Sequence, residues 1–306
     1  MLMSTIKNYL RRVYDTETGL ISSLLNMLII FRDFLLECRF GKPFNIWTKS
    51  RLQWVCSSKL AAIRKAMIYV TPSGEKRVLR IEREADKDVD PNSNPLVSVI
   101  IPTYNRADIL LNRSLPSVLG QTHKNLEVII VGDHCTDNTE LLLKEETDPR
   151  VKFINLQERG RYPEEPILRW FVAGVVPLNV GLLECKGEWI ANLDDDDEFS
   201  SNHIEVLLNL ALRHNLEMVY GIVEYENGNG ENTLIGRPLL RRGAISRCST
   251  LYRGYLKYFQ YDINSWKMKE PADFNLWRRM KRAGVRIGFL NMVVGRHYKE
   301  LTQLGR

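Results

Sequence analysis

The chain has 306 residues, of which 44% are hydrophobic and 26% charged, and this balance excludes a largely disordered protein. Its length allows one large α/β domain with a smaller appendage. Five cysteines, with neither CxxC pairs nor zinc-ligand spacing, exclude a disulfide framework and indicate a reduced, cytosolic protein.

The N-terminal third carries all of the net charge of +6. Residues 1–94 contain 16 Lys and Arg against 10 Asp and Glu, whereas the two kinds of charge balance over the rest of the chain. Apolar residues recur every three or four positions over residues 1–70, which predicts helices. A basic helical segment of this kind fits peripheral binding to an anionic membrane, or simply a basic face on a helical subdomain.

The most apolar stretch, Ile21–Phe31, is too short to span a membrane, which takes about 20 apolar residues. It predicts either a buried helix or an interfacial one. Because residues 1–70 lack the aromatic and glycine signatures of common nucleic-acid-binding modules, we expect no nucleic-acid partner. Next along the chain, Val78–Ile81 predicts a short strand, and the polar, proline-bearing segment Asp86–Pro95 predicts a linker. The predicted domains are a basic helical extension with linker, residues 1–94, and an α/β domain, residues 95–306.

From Leu96 onward, predicted strands and helices alternate. Apolar runs rich in β-branched residues predict strands at 97–101, 126–131, 151–154, 189–193 and 218–225. The predicted helices are 107–119, 136–144 and 201–213, and residues 227–230 predict a hairpin turn. Alternation of this kind predicts βαβ units and a mostly parallel sheet, with a ligand site beyond the carboxyl ends of its strands. That edge would gather Pro102–Arg106, Asp133 and Asp194–Asp197.

Four consecutive carboxylates, Asp194–Asp197, directly follow a predicted buried strand. Their mutual repulsion is costly unless a cation compensates it. Oxygen ligands suit Mg²⁺ or Mn²⁺, which proteins typically hold with one or two carboxylates together with substrate phosphates. The run therefore predicts a divalent metal site, the alternative being a solvated acidic loop.

Four motifs follow one another along the chain. They are VSVIIPTYNR at 97–106, IIVGDHCTDNT at 129–139, NVGLLECKG at 179–187 and WIANLDDDDEF at 189–199. Together they resemble the successive signatures of the family 2 inverting glycosyltransferases, over roughly residues 96–290. The resemblance implies the GT-A fold, an α/β architecture with a Rossmann-like, mostly parallel sheet flanked by helices. Residues 1–94 carry no part of it.

The resemblance also implies roles for individual residues. The residues expected to bind the nucleotide are Pro102, Thr103, Tyr104, Arg106, Asp133, Asp194 and Asp195. Asp133 takes the place of the carboxylate that reads the base, and a carboxylate can accept a hydrogen bond from the imide N–H of uracil. Asp196 and His297 are the expected ligands of the metal, Mn²⁺ or Mg²⁺.

A displacement at an anomeric carbon needs a base for the acceptor hydroxyl. The family usually supplies it from an acidic pair ahead of a helix with a Leu–Arg pattern, and ADFNLWRR at 272–279 resembles that segment. We predict Asp273 as the base and as the N-cap of a helix over 274–283. The first acid of the pair is replaced by Ala272, for which Glu270 is a partial substitute. Loss of that acid is the one feature favouring the alternative, a degenerate domain that binds a membrane or a partner.

The sequence departs from the family pattern in the turn after the second strand. His134 stands where the family usually has glycine, and it demands a less permissive backbone. Cys135 is expected to be a buried small residue and not a nucleophile. Two basic loops, Arg159–Tyr162 and Arg241–Arg242, are candidates to contact a diphosphate or an anionic acceptor, or else are solvated.

The absence of a GxxxxGK[ST] run excludes a P-loop enzyme. The expected reaction is metal-dependent, inverting transfer of a sugar from a nucleotide-diphosphate sugar, a UDP-sugar by the resemblance. The expected acceptor is a hydroxyl of a glycan or of a lipid-linked sugar in cell-surface polysaccharide synthesis. We expect a cytoplasmic protein, with peripheral association at the inner membrane face through residues 1–70.

Overall fold

The computed structural model describes residues 74–86, 94–226 and 232–298. The chain divides into two compact units, residues 1–71 and residues 72–306, and the first unit lies outside the described residues. The helices predicted over 1–70, the apolar stretch 21–31 and the turn predicted at 227–230 lie outside them too, as does most of the predicted linker. The second unit begins earlier in the chain than the predicted boundary after residue 94.

The α-helices of the described residues are α1 (Gly74–Ala85), α2 (Ala107–Ile109), α3 (Leu115–Leu119), α4 (Thr139–Lys144), α5 (Pro166–Trp170), α6 (Val175–Glu184), α7 (His203–Arg213) and α8 (Ala272–Ala283). The strands are β1 (Val97–Thr103), β2 (Leu126–Gly132), β3 (Val151–Asn155), β4 (Trp189–Asn192), β5 (Glu198–Phe199), β6 (Met218–Glu226), β7 (Asn232–Ile235), β8 (Thr250–Arg253) and β9 (Ile287–His297). A π-helical segment, Leu110–Ser114, joins α2 to α3.

These strands form one sheet in the order β3-β2-β1-β4-β8-β6-β9-β5, with β7 paired to β6. The first four strands of this order are mutually parallel. Strand β8 then runs antiparallel to both of its neighbours, β4 and β6, whereas β9 is parallel to β6. The carboxyl ends of β1, β2 and β4 therefore meet at one edge, as the sequence predicts.

The central strands are buried on both faces because helices cover the sheet from each side. All seven residues of β1 are buried, which explains its continuous apolar run. Alternate residues of this strand enter different clusters, since Ile100 packs with Leu178 of α6. Its neighbour Ile101 belongs to the cluster on the other face, which also contains Leu207 of α7. The strands that lead to the site are thus held by packing on both faces.

Residues Pro166–Glu184 are apolar enough, over a sufficient length, to be a candidate membrane span. The structure instead breaks this stretch into α5 and α6, because Gly174 takes a left-handed conformation with φ of 73°. Helix α6 lies on the sheet at Gly181, where an added Cβ would collide with Ile100. This second part is therefore a core helix.

The strand predicted at Val78–Ile81 is wrong, because these residues lie within helix α1. Only Leu79 of this helix is buried, at 1% exposure, whereas Ile81 is 49% exposed. The rest of the helix is dominated by Glu, Lys and Arg, which are strong helix formers. Its ends are tied by ion pairs of Glu75 with Arg279 and of Arg83 with the buried Glu217.

Candidate active site

A cavity of about 570 Å³ opens at the carboxyl edge of the parallel strands. Its walls include every residue for which the sequence predicts a nucleotide-binding, metal-binding or catalytic role. These are Pro102, Thr103, Tyr104, Arg106, Asp133, Asp194, Asp195, Asp196, Asp273 and His297. The structure therefore brings together residues that the chain supplies from five separate segments.

The acidic run is held as a turn directly after β4. The backbone N–H of Asp197 donates to the carbonyl of Asp194 at 3.1 Å. From the π-helical segment, the Ser114 hydroxyl donates to the carbonyl of Asp197 at 2.8 Å, and the Arg113 guanidinium donates to the carbonyl of Asp196 at 2.7 Å. These bonds fix the direction of the four carboxylates.

The two middle carboxylates share one cation. The Arg106 guanidinium lies 3.1 Å from Asp195 and 2.6 Å from Asp196. Asp195 also accepts a hydrogen bond of 2.8 Å from the Thr103 hydroxyl. Burial, reinforced by the charge of Asp196, raises the pKa of Asp195 to about 7. Asp195 therefore binds a proton more readily than an ordinary aspartate does.

The first carboxylate of the run contacts a buried arginine, Arg247, which no sequence motif marks. Arg247 lies 2.5 Å from Asp194, with 14% of its side chain exposed. Burial alone would lower the pKa of Arg247, but the negative charges of Asp194 and Asp273 outweigh burial and raise it. One guanidinium thus acts on both the acidic run and the predicted base. No motif marks Arg247, because its partners come from distant parts of the chain.

The last carboxylate of the run, Asp197, is fully buried and pairs with the predicted ligand His297. The His297 Nδ1–H donates to Asp197 at 2.9 Å, and the His297 ring stacks on Tyr225 with centroids 5.0 Å apart. Burial would lower the pKa of His297, but Asp197 raises it to about 9. Burial raises the pKa of Asp197 to about 6, although His297 opposes this shift. The pair is therefore charged at neutral pH.

The predicted base-reading carboxylate, Asp133, lies at the end of β2 and is 4% exposed. One oxygen accepts from the backbone N–H of Gly160 at 2.9 Å, and the other accepts from the Tyr162 hydroxyl at 2.7 Å. The neighbouring Arg159 guanidinium covers the ring of Tyr104 at 3.6 Å. The basic loop 159–162, predicted as a candidate contact, therefore closes over the side of the cavity where the nucleotide is expected, and no motif marks the bond from Tyr162 to Asp133.

Asp273 lines the cavity, but it is not the N-cap of its helix. Helix α8 begins at Ala272, so Asp273 stands in the first turn and accepts from the N–H of Phe274 at 2.6 Å. Burial raises the pKa of Asp273, while the nearby charge of Arg247 opposes that shift. A carboxylate whose pKa is raised accepts a proton more readily than an ordinary aspartate, as a general base must.

Glu270 does not replace the missing acid of the pair. It is 1% exposed, and both of its carboxylate oxygens accept from Arg278, at 2.9 and 2.8 Å. It also accepts from the side-chain amide of Asn275. Because these bonds hold Glu270 inside the packing of α8, its role is structural.

The residues at the cavity fit a hard divalent cation. Asp194 and Asp196 offer carboxylate oxygens, and His297 offers Nε2 once it has released a proton, with Nδ1 still bonded to Asp197; all three residues lie at the cavity wall. The carboxylates of the run contact Arg106, Arg247 and His297, and their oxygens are ligands of the kind that such an ion prefers. Cys248 lies within 4.8 Å of Asp197 and His297. Burial raises the pKa of its thiol, which favours the oxygen ligands over sulfur for the ion.

Comparison with known families supports the architecture. A family model described as Glycosyl transferase family 2 matches residues 98–163 and 176–274. The chain is 34% identical over 135 residues to the UDP-Glc:alpha-D-GlcNAc-diphosphoundecaprenol beta-1,3-glucosyltransferase WfgD of Escherichia coli, which covers 44% of this chain and 48% of that protein. It is 31% identical over 185 residues to the GalNAc(5)-diNAcBac-PP-undecaprenol beta-1,3-glucosyltransferase of Campylobacter jejuni, covering 59% of this chain and 55% of that protein. The chain therefore spans about half the length of the curated relatives it matches.

Two solved structures share the fold. S. aureus TarS in complex with UDP aligns with a TM-score of 0.52 and 19% identity, over 68% of this chain and 61% of that chain. The mannosyltransferase PcManGT from Pyrobaculum calidifontis, in complex with GDP-Man and Mn²⁺, aligns with a TM-score of 0.50 and 18% identity, over 78% of this chain and 68% of that chain. The predicted α/β fold of the GT-A type is confirmed.

Proposed function

The chain belongs to glycosyltransferase family 2, and from that premise we propose that it transfers a sugar, with inversion, from a UDP-sugar to a hydroxyl of a lipid-linked acceptor. The observation that carries this proposal is the arrangement around Arg247. Its guanidinium is paired with Asp194 of the acidic run and also acts on the charge of Asp273. The acids predicted for donor binding and for acceptor activation therefore face one cavity.

The nucleotide end of the donor is assigned to the wall formed by Tyr104, Asp133 and Tyr162. Asp133 keeps a fixed direction because its two oxygens are held by different groups. In this assignment it accepts from the imide of uracil, and Arg159 on Tyr104 encloses the base. In this assignment the hydrogen-bonded carboxylate recognises the edge of the base, and stacking contacts the face of the base.

The diphosphate end of the donor is assigned to the acidic run and its two arginines, Arg106 and Arg247. The divalent ion, Mn²⁺ or Mg²⁺, would be held by Asp196 and His297 with Asp194 beside them. When bound, it supplies positive charge that stabilises the departing diphosphate. The two guanidinium groups add donors of fixed geometry that suit phosphate oxygens.

The acceptor is activated by Asp273 in this proposal. Its carboxylate takes the proton of the acceptor hydroxyl as the oxygen attacks the anomeric carbon. The new glycosidic C–O bond forms on one face of the sugar while the bond from the anomeric carbon to the diphosphate oxygen breaks on the other. The proton ends on Asp273, and UDP leaves with the electron pair of the broken bond.

The acceptor class comes from the relatives. The two named glucosyltransferases act on sugars joined through diphosphate to undecaprenol, as their names state. We extend this acceptor chemistry to the present chain, with the reaction at the inner membrane face and residues 1–70 as the peripheral membrane segment.

The test is release of UDP from a panel of UDP-sugars and GDP-mannose, with Mn²⁺, with Mg²⁺ and with EDTA. Wild type is compared with Asp196→Asn, Asp273→Asn and the matched control Asp108→Asn, which changes an exposed aspartate outside the cavity. We expect metal-dependent turnover of one UDP-sugar, lost in the first two variants and kept in the control.

Calorimetric titration of UDP with Mn²⁺ separates the remaining outcomes. Binding without turnover in any sample would indicate that the acceptor is missing, and an acceptor-coupled assay with an undecaprenyl diphosphate sugar would follow. A chain that binds no nucleotide under any of these conditions would contradict the proposal and favour the degenerate binding module.

A further inference from the structure

Besides the two arginines that are paired with the acidic run, the cavity is lined by Arg169 and the exposed Arg242, which we call the outer pair. Arg169 donates to the backbone carbonyls of Pro163 and Glu164, at 3.0 and 2.9 Å. Arg242 donates to the carbonyl of Lys269 at 3.1 Å. Within residues 74–86, 94–226 and 232–298, neither guanidinium has a carboxylate partner. Their charge therefore remains available to an anion.

This outer pair differs from the inner arginines. Arg106 and Arg247 are each ion-paired with the acidic run and are assigned to the donor. Carbonyl partners orient the outer guanidinium groups without neutralising them. A cavity with two separate cationic positions matches a reaction in which donor and acceptor each carry a diphosphate.

The rim beside the outer pair is apolar and exposed. On the short helix α5, Ile167 and Trp170 are 58% and 53% exposed, although both are large hydrophobic residues. Trp170 lines the cavity next to Arg169, and the Arg242 guanidinium lies 5.2 Å from the ring centroid of the neighbouring Phe171. Exposed apolar side chains next to unpaired cations suit an amphiphile that joins an anionic head to a hydrocarbon chain.

We propose that Arg169 and Arg242 bind the diphosphate of the acceptor and that Ile167 and Trp170 contact the first part of its isoprenoid chain. The proposal rests on the proposed function, because it names the place where that reaction's acceptor binds. It assigns the anion to the acceptor and not to the donor, whose diphosphate is placed at the inner pair. Neighbouring Glu165 does not compete for the cations, because its carboxylate caps α5 by accepting from the N–H groups of Ile167 and Leu168.

The probe is farnesyl diphosphate, titrated calorimetrically into the full chain saturated with UDP and Mn²⁺, so that the donor site is already filled. Farnesol and inorganic diphosphate serve as the two half-probes. We expect farnesyl diphosphate to bind at least about tenfold more tightly than either, because charge-assisted hydrogen bonds and apolar contact both contribute.

The variants are Arg169→Gln, Arg242→Gln and Trp170→Ala, with Arg213→Gln on α7 as the matched control, an exposed arginine outside the cavity. Each of the two cavity arginine variants should weaken farnesyl diphosphate binding about tenfold while UDP affinity is kept. Trp170→Ala should weaken farnesyl diphosphate but not inorganic diphosphate. The control should bind like wild type.

The outcomes separate the two levels of the proposal. Failure of UDP to bind would contradict the proposed function itself. Normal UDP binding with no binding of farnesyl diphosphate, or with equal binding by all variants, would overturn the acceptor site alone. Association with phosphatidylglycerol vesicles that depends on Arg169 and Arg242, without any preference for farnesyl diphosphate, would overturn it in favour of a general membrane surface.

Discussion

Replacing Arg247 by methionine tests the electrostatic centre of the site. The side chain is 14% exposed and lies 2.5 Å from Asp194, whose own side chain is 28% exposed. Breaking a buried pair costs about 3–5 kcal/mol, and the partial exposure of Asp194 places this one at the lower end, about 3 kcal/mol. For a folded unit of this size that loss lowers the melting temperature by roughly 6–12 °C.

The same variant should change catalysis in a way that a purely structural arginine would not. The charge of Arg247 holds down the pKa of Asp273, which burial raises. A general base works when deprotonated, so activity falls as pH drops through its pKa. In Arg247→Met the pKa of Asp273 rises further, and the acidic limb of the kcat/KM profile moves to higher pH. Loss of a donor to the diphosphate lowers kcat/KM by about 100-fold.

The assay combines thermal unfolding with UDP release over a range of pH, and Arg247→Lys is the matched control. Lysine keeps the charge, so the acidic limb should stay close to that of wild type even where rate is lost. If Arg247→Met has the melting temperature of wild type and the acidic limb of its kcat/KM profile does not move, the guanidinium is not coupled to Asp273 and the reasoning fails.

Three further variants test other parts of the fold and site. Tyr162→Phe removes the 2.7 Å hydrogen bond to Asp133 and should weaken UDP binding several-fold, about 1 kcal/mol, by calorimetry; unchanged affinity would show that the hydroxyl does not orient this carboxylate. Burial lowers the pKa of His203 from 6.5 to about 4. The folded state therefore keeps the full contribution of the neutral imidazole above pH 6.5 and loses it as the pH falls from 6.5 towards 4. The loss in the free energy of unfolding is about 3 kcal/mol. His203→Phe should flatten that part of the curve of unfolding free energy against pH. An unaltered curve would show that other groups cause the loss of stability at acid pH. Glu270→Gln breaks the buried pair with Arg278 and should lower the melting temperature while leaving the pH profile of surviving activity in place; a shifted profile would return Glu270 to the catalytic site.

The parallel half of the fold could be predicted because its strands leave a direct signal. β1, β2 and β4 are apolar runs that end in polar residues, and the ends of parallel strands meet at one edge. The position of β8 could not be predicted in this way. It inserts between β4 and β6 although both precede it in the chain, so only tertiary pairing defines its place.

The candidate site shows the same division. Asp133 and Asp194 follow predicted strands and could be placed from sequence. Arg247, and the bond from Tyr162 to Asp133, could not be predicted, because each is a single contact between segments that no periodicity links. The wrong strand at Val78–Ile81 has a related cause, since a short segment with β-branched residues is helical here through the packing of one leucine and two ion pairs.

The turn after β2 shows how the site keeps its geometry despite an unfavourable residue. His134 adopts a left-handed conformation with φ of 62°, which costs a non-glycine residue about 1–2 kcal/mol. The side chain of Asn155 compensates by accepting from the N–H of Cys135 at 2.8 Å and donating to its carbonyl at 3.0 Å. Because the turn aims Asp133 into the cavity, relaxing it would redirect that carboxylate. The retained strain is therefore an argument that the direction of Asp133 matters to function.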